Sequence, residues 1–162
     1  MLRDKSLVPL SHQHQHALAL CVRIERDLAS GGGNLGAWQE EIVKAFASEI
    51  RFHFEAEEKL LFPSAKKHGA LDALIVQLLR EHTVLRGFFA RAERGQLDAT
   101  TLRAFVATLS QHIRTEERQL FELCQQLMSE EELTRLGADM KAYFENSGMP
   151  GAACTVRPSP PE

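Results

Sequence analysis

Along most of this chain, apolar residues recur at intervals of three and four, the period of an amphipathic helix rather than the alternation of a strand. The first stripe, Leu18, Cys21, Ile24 and Leu28, predicts a helix over about 11–30. Ser11 reads as its N-cap, and Gly31-Gly32-Gly33-Asn34 as its stop. A second helix, over about 36–62, carries Trp38, Ile42, Phe46 and Ile50 and ends at Pro63. A third, over about 70–94, carries Leu71, Leu74, Ile75, Leu78, Leu79, Leu85 and Phe89 and ends at Gly95. Thr100 or Asp98 opens a fourth, over about 100–128, with Leu102, Phe105, Val106, Leu109, Ile113, Leu120 and Leu127. Ser129 with Glu132 reads as a capping box for a shorter helix reaching about Asn146, whose apolar face is Leu133, Leu136, Met140 and Phe144.

Four helices of similar length joined by short polar loops predict an all-α fold: an antiparallel up-down-up-down four-helix bundle with a short fifth C-terminal helix. The expected division is an extended N-terminal arm over 1–10, the bundle over 11–128, the C-terminal helix over 129–146 and an irregular tail over 147–162. The fifth helix either covers its own bundle or docks on another chain.

Six polar residues interrupt these stripes. In the second helix the series runs Ile42, Phe46, Ile50, His53, Glu57, Leu60, and in the fourth Leu102, Phe105, Leu109, His112, Glu116, Leu120, Leu123. His82 falls midway between Ile75 and Phe89, and His14 precedes Cys21 and Leu28, both at heptad spacing. A His and a Glu four apart lie about 40° apart around a helix and roughly 6 Å apart along it, so both reach one ion or the Glu bridges to a second. A carboxylate left alone in a core costs several kcal/mol, so buried ones need partners or a metal. The segments from His53 to Phe62 and from His112 to Phe121 also echo each other, so the chain reads as two helix-pair halves. Each half offers one lone histidine and one His-x-x-x-Glu.

The other candidates fit less well. His12 and His16 share a side of the first helix with Arg23 and Asp27 and read as exposed, although either replaces His14 if the helix phase is shifted. His68, in a Lys-Lys-His-Gly turn, reads as solvated. Glu58 and Glu117 point about 100° away from their neighbours Glu57 and Glu116. They read as surface carboxylates paired with Lys or Arg, with an extra metal oxygen as the alternative. Imidazole and carboxylate without thiolate suit two ions that prefer six ligands, iron or manganese, better than structural zinc. Phe46, Ile50, Leu109 and Ile113 form the expected apolar shell, and Cys21 reads as a small core residue or a redox group near the metal.

Composition narrows the function classes. Of 162 residues 44% are hydrophobic and 25% charged, with a net charge of −3, which offers no footprint for nucleic acid. No segment approaches the roughly 18 apolar residues of a membrane span. The N-terminus has no apolar region of the secretory kind. Cys21, Cys124 and Cys154 are widely spaced and odd in number, which argues against a disulfide framework and fits a reducing cytoplasm.

The segments LSHQHQHALAL, HFEAEEKLLFP, LLREHTVL and HIRTEERQLF occur in an order and spacing that resemble the hemerythrin-like, or HHE cation-binding, family over about residues 10–128. The resemblance implies an antiparallel four-helix bundle with a non-haem di-iron centre, two iron ions with an oxo or hydroxo bridge. Its metal ligands would map onto His14, His53, Glu57, His82, His112 and Glu116. Oxygen-carrying members have a second histidine one turn from the third-helix one, where this chain has Leu78 and Arg86 around His82. The carriers also place the fourth-helix acid five residues after its histidine, where Glu117 stands here. A four-His, two-Glu set is similar instead to the branch that repairs iron clusters or responds to nitric oxide, whose repair proteins often carry an extra N-terminal cysteine-motif domain that this chain lacks. The expected functions are binding or sensing of a small diatomic or peroxide ligand, or enzymatic reduction of nitric oxide or decomposition of peroxide with an electron donor. A weaker third is iron delivery; no second acidic cluster supports storage.

Overall fold

The helical pattern is realised in the computed structural model, which describes residues 2–150. Among those residues the regular elements are five helices and no strand: α1 (Val8–Ala29), α2 (35–66), α3 (Asp72–Glu93), α4 (99–127) and α5 (Glu130–Asn146). Local chemistry sets their ends. The Asn34 side chain accepts the Ala37 N–H at 3.1 Å to open α2, and Asp98, rather than Thr100, accepts the Thr101 N–H at 2.7 Å to open α4. The capping box of α5 is complete: Ser129 Oγ accepts from Glu132 N–H at 3.2 Å, and Glu132 Oε2 from Ser129 N–H at 2.8 Å. Beyond α1 and α3 stand Gly31 and Gly95, with φ of 73° and 66°, a backbone region that side chains oppose.

Two expected boundaries move. α1 starts at Val8, not Ser11, because Pro9 sits in the first turn, where its missing N–H has no helical partner to lose. Leu7 and Leu10 are both fully buried, so the segment before Ser11 is part of the core and not a free arm. α2 continues past Pro63 to Lys66. The turn before the proline is a wide π turn, Glu57–Leu61, in which the Phe62 N–H reaches back five residues to the Glu57 carbonyl. That wider turn accommodates a residue that lacks an N–H.

Further π turns occupy Phe46–Ile50 in α2 and Glu116–Leu120 in α4. Each adds a residue to the helix and shifts its inward face. Past Glu57 the fully buried position is Leu61 while Leu60 is half-buried, and past Glu116 it is Cys124 in place of Leu123. Leu127, expected in the core, is exposed.

α1 packs on the 99–115 part of α4, α2 on α3, and α3 on α4, while α5 lies along 51–61 of α2. The fifth helix therefore covers its own chain. Its apolar face joins Leu7, Leu10, Leu61, Phe62, Leu71 and Phe121 in one cluster. Gly137 lets it pass close to the N-terminal segment, since a Cβ there would lie 2.8 Å from Ser6 Cβ. A second cluster gathers Ala17, Cys21, Ile24, Ile42, Phe54, Leu85, Phe89, Phe105 and Leu109. Along every long helix the polar residues singled out above fall where one cluster gives way to the other. Among the described residues no helix is long and apolar enough to cross a membrane.

Candidate metal centre

All six residues are buried between these apolar layers: Glu57, His82 and Glu116 at 0–1% exposure with His112, and His14 and His53 at 3% and 5%. His12 and His16 are exposed, so the phase of α1 points His14 inward. Two overlapping groups form: His14, His53, Glu57 and Glu116, and Glu57, His82, His112 and Glu116. In each group the ligand-type atoms lie within 4.8 Å of one another, close enough to hold a metal ion.

The two carboxylates divide their oxygens between the groups. Glu57 Oε1 lies 3.2 Å from His53 Nε2 and Oε2 lies 3.3 Å from His82 Nε2. Glu116 Oε2 lies 3.1 Å from His14 Nε2 and Oε1 lies 3.3 Å from His112 Nε2. Within each group the imidazoles face each other through Nε2, at 3.0 Å for His14 and His53 and 3.2 Å for His82 and His112. None of the four carboxylate oxygens has a hydrogen bond, although all are buried. Orphaned acceptors in a core are costly, and a cation between each pair of imidazoles would answer all four. The donor set thus fits two cations.

The outward nitrogens are held as firmly. His14 Nδ1–H donates to Glu117, His82 Nδ1–H to Glu58, His112 Nδ1–H to Glu81 and His53 Nδ1–H to Gln13 Oε1, each at 2.7 Å. These bonds fix each ring and leave Nε2 for the interior. The acceptors form a ring: each helix from α1 to α4 supplies the one that serves the histidine of the next, and α4 closes on α1. Arg3 donates to Glu117 at 2.8 Å, and Arg86 to Glu58 at 2.7 Å. Glu58 and Glu117 are therefore paired with arginine as expected, yet half-buried and holding histidines. Gln13 and Glu81 escaped the apolar-stripe reading because they lie beside the stripe. The signal for them was the internal repeat, since each immediately precedes an inward histidine. His68 is half-buried and faces Glu132, with Nε2 3.4 Å from Oε1, and stands apart from the centre.

Charge follows the geometry. Burial alone would lower the His14 pKa, but Glu116 and Glu117 outweigh it and raise it to about 9. His82 behaves alike: burial is outweighed by Glu57 and Glu58, and its pKa also reaches about 9. Burial opposes charge on Glu57, but His53 and His82 overcome it and hold the carboxyl well below the usual carboxylate range. Glu58 and Glu117 are likewise brought to about 2 against burial, by His82 with Arg86 and by His14 with Ser11 and Arg3 respectively. The centre is thus arranged to hold positive charge.

Beside His14, His53 and His112 lies a small cavity, otherwise lined chiefly by Ala17, Ile50, Phe54, Leu109 and Ile113, with about 10 Å³ open to the centre of a water-sized sphere. That is room for roughly one water-sized molecule. Ile50, Leu109 and Ile113 belong to it as the sequence suggested, whereas Phe46 instead stacks on Phe89, ring centres 4.2 Å apart. Cys21 and Cys124 are buried and free. Cys154 and most of the predicted irregular tail lie outside the described residues.

No curated protein and no solved structure compared with the chain gives a significant match. The model of the hemerythrin HHE cation binding domain matches residues 8–124, from the start of α1 into the last turns of α4, a span that holds all six inward residues. By that match, and with His and Glu groups in its core that could hold metal ions, the chain belongs to the hemerythrin HHE cation-binding family.

Proposed function

We propose that this chain is a non-haem di-iron protein that binds or senses a small ligand, oxygen, nitric oxide or peroxide. The observation that carries the reading is the shared pair of carboxylates, with one oxygen of Glu57 and one of Glu116 facing each pair of imidazoles. His14 and His53 would hold one ion, His82 and His112 the other, and both glutamates would bridge. Two nitrogens and two oxygens per ion leave about two positions of an octahedron for an oxygen bridge and an incoming ligand. Iron, once bound, supplies the affinity for such ligands and the capacity for electron transfer. The cavity beside His14 and His53 suits a molecule of a few atoms. Leu78 is buried apolar and Arg86 is engaged with Glu58, so no fifth histidine flanks His82 as in the oxygen carriers.

An antiparallel arrangement of α1 to α4 belongs to the same reading. It is supported by how the two apolar clusters draw on the helices: α1 and α3 begin in the cluster shared with α5 and end in the other, and α2 and α4 run the opposite way. Buried, unpaired Cys21 and Cys124 suit a reducing cytoplasm.

The test is reconstitution with iron, reduction, and exposure in turn to oxygen, nitric oxide and peroxide, following absorbance and turnover. We expect about two irons per chain and a stable adduct with one ligand. Many turnovers of one substrate, drawing on an electron donor, would replace the binding reading with an enzymatic one. About one zinc per chain would overturn both.

A further inference from the structure

The centre is nearly two-fold in construction, which makes its one break conspicuous. Three of the four outward nitrogens donate to a carboxylate, and the fourth, on His53, donates to the amide oxygen of Gln13. Gln13 and Glu81 are counterparts, each standing just before an inward histidine and serving the histidine of the following helix. Glu58 and Glu117 are also counterparts, and each is matched by an arginine. Glu81 has no such match, its other oxygen accepting only from the neutral Gln77 at 2.8 Å. Both acceptors behind His82 and His112 are therefore carboxylates, against one of the two behind His14 and His53.

A carboxylate on Nδ1 makes an imidazole a stronger metal ligand, and an amide does so far less. We infer that Gln13 makes the two ion positions unequal, so that the ion between His14 and His53 is held more weakly and is the one an incoming ligand meets. The second half of that statement rests on the cavity, which lies against His14, His53 and Gln13 itself and touches the other position only at His112. Gln13 acts through His53 and is a positioning residue. The inference rests on the two-ion reading above.

Cobalt(II) titration of the metal-free full-length protein, followed by visible absorbance and metal analysis, separates the possibilities. The wild type should take up two ions in two steps. Gln13→Glu should tighten the weaker step about 10-fold and bring the two together. Glu81→Gln, which preserves shape, should loosen the tighter step by a similar factor and close the gap from the other side. In the iron-loaded protein, Gln13→Glu should also narrow the separation between the two reduction potentials. Should Gln13→Glu fail to fold, as judged by circular dichroism, Glu81→Gln decides alone. Two ions bound with equal affinity in the wild type, or a ratio unmoved by the substitutions, would overturn this inference alone. Fewer than two ions in the wild type would overturn the two-ion reading and this inference with it.

Discussion

His14 and His82 each hold an added proton at neutral pH in the metal-free chain, because the glutamates around them raise their pKa to about 9 against burial. A cation entering either group must displace that proton. Loading near neutral pH should therefore release about two protons per chain, read by calorimetry in buffers of different ionisation enthalpy. The same shift has a stability consequence. Both histidines have folded pKa values above the ordinary 6.5, so their contribution is complete below 6.5 and is lost as pH rises through about 9. The melting temperature of the metal-free protein should fall across that window, and that of the loaded protein should fall less. A third prediction concerns Glu57. Because it faces both imidazole pairs, Glu57→Gln should lower metal content at both positions, whereas His53→Ala should empty chiefly one, as metal analysis will distinguish. The inward residues themselves were readable in the sequence, since a polar residue in phase with an apolar stripe stands out. Gln13 and Glu81 stand out only as paired positions of the internal repeat, because which histidine each serves is fixed by contacts between helices.

The helices as elements were nearly all readable, and their irregularities were not. Intervals of three and four report an α-helix but carry no mark of a turn that is one residue too long. α2 and α4, the two helices that each supply an inward His and Glu, both have such a turn starting at the inward glutamate. The turn lets His53 and Glu57 face the centre while Leu61 and Phe62, fully or almost fully buried, still face the apolar cluster beyond it. Removal of Lys59 would restore the α-helical count and leave Leu61 and Phe62 in phase with the cluster, whereas an alanine inserted after Leu61 would rotate the rest of the helix by about 100°. The expected result is a small change in thermal midpoint for the deletion, and for the insertion a large drop from lost packing at Phe62 and Ala65, with Phe62 alone worth roughly 3–5 kcal/mol when truncated. α5 offers a test with an inverted sign. A helical Gly→Ala change ordinarily gains roughly 0.5–1 kcal/mol. Gly137→Ala should instead destabilise by about 1–3 kcal/mol, because the new methyl meets Ser6. Chemical denaturation measures the difference.

At the scale of the whole molecule, the family and the helical class were legible, and the closure of the fold was not. The first ten residues read as an arm because Pro9 resembles a boundary. In the structure residues 2–10 are tied down by Leu7 and Leu10 in the core and by Arg3, which reaches across to Glu117 and to Gln125. A contact spanning more than a hundred residues leaves no local trace in a sequence. The two halves seen as an internal echo prove to be interleaved. The first supplies His14, His53 and Glu57, the second His82, His112 and Glu116, and each group of four borrows its last carboxylate from the other half. Neither half contains a complete group of four. Co-expressed as separate peptides cut in the loop between α2 and α3, they should associate one to one when metal is supplied and come apart on its removal, as size-exclusion chromatography would record. The ions would then be the clasp of a two-piece assembly, and a covalent loop merely the convenience that keeps the pieces at high local concentration.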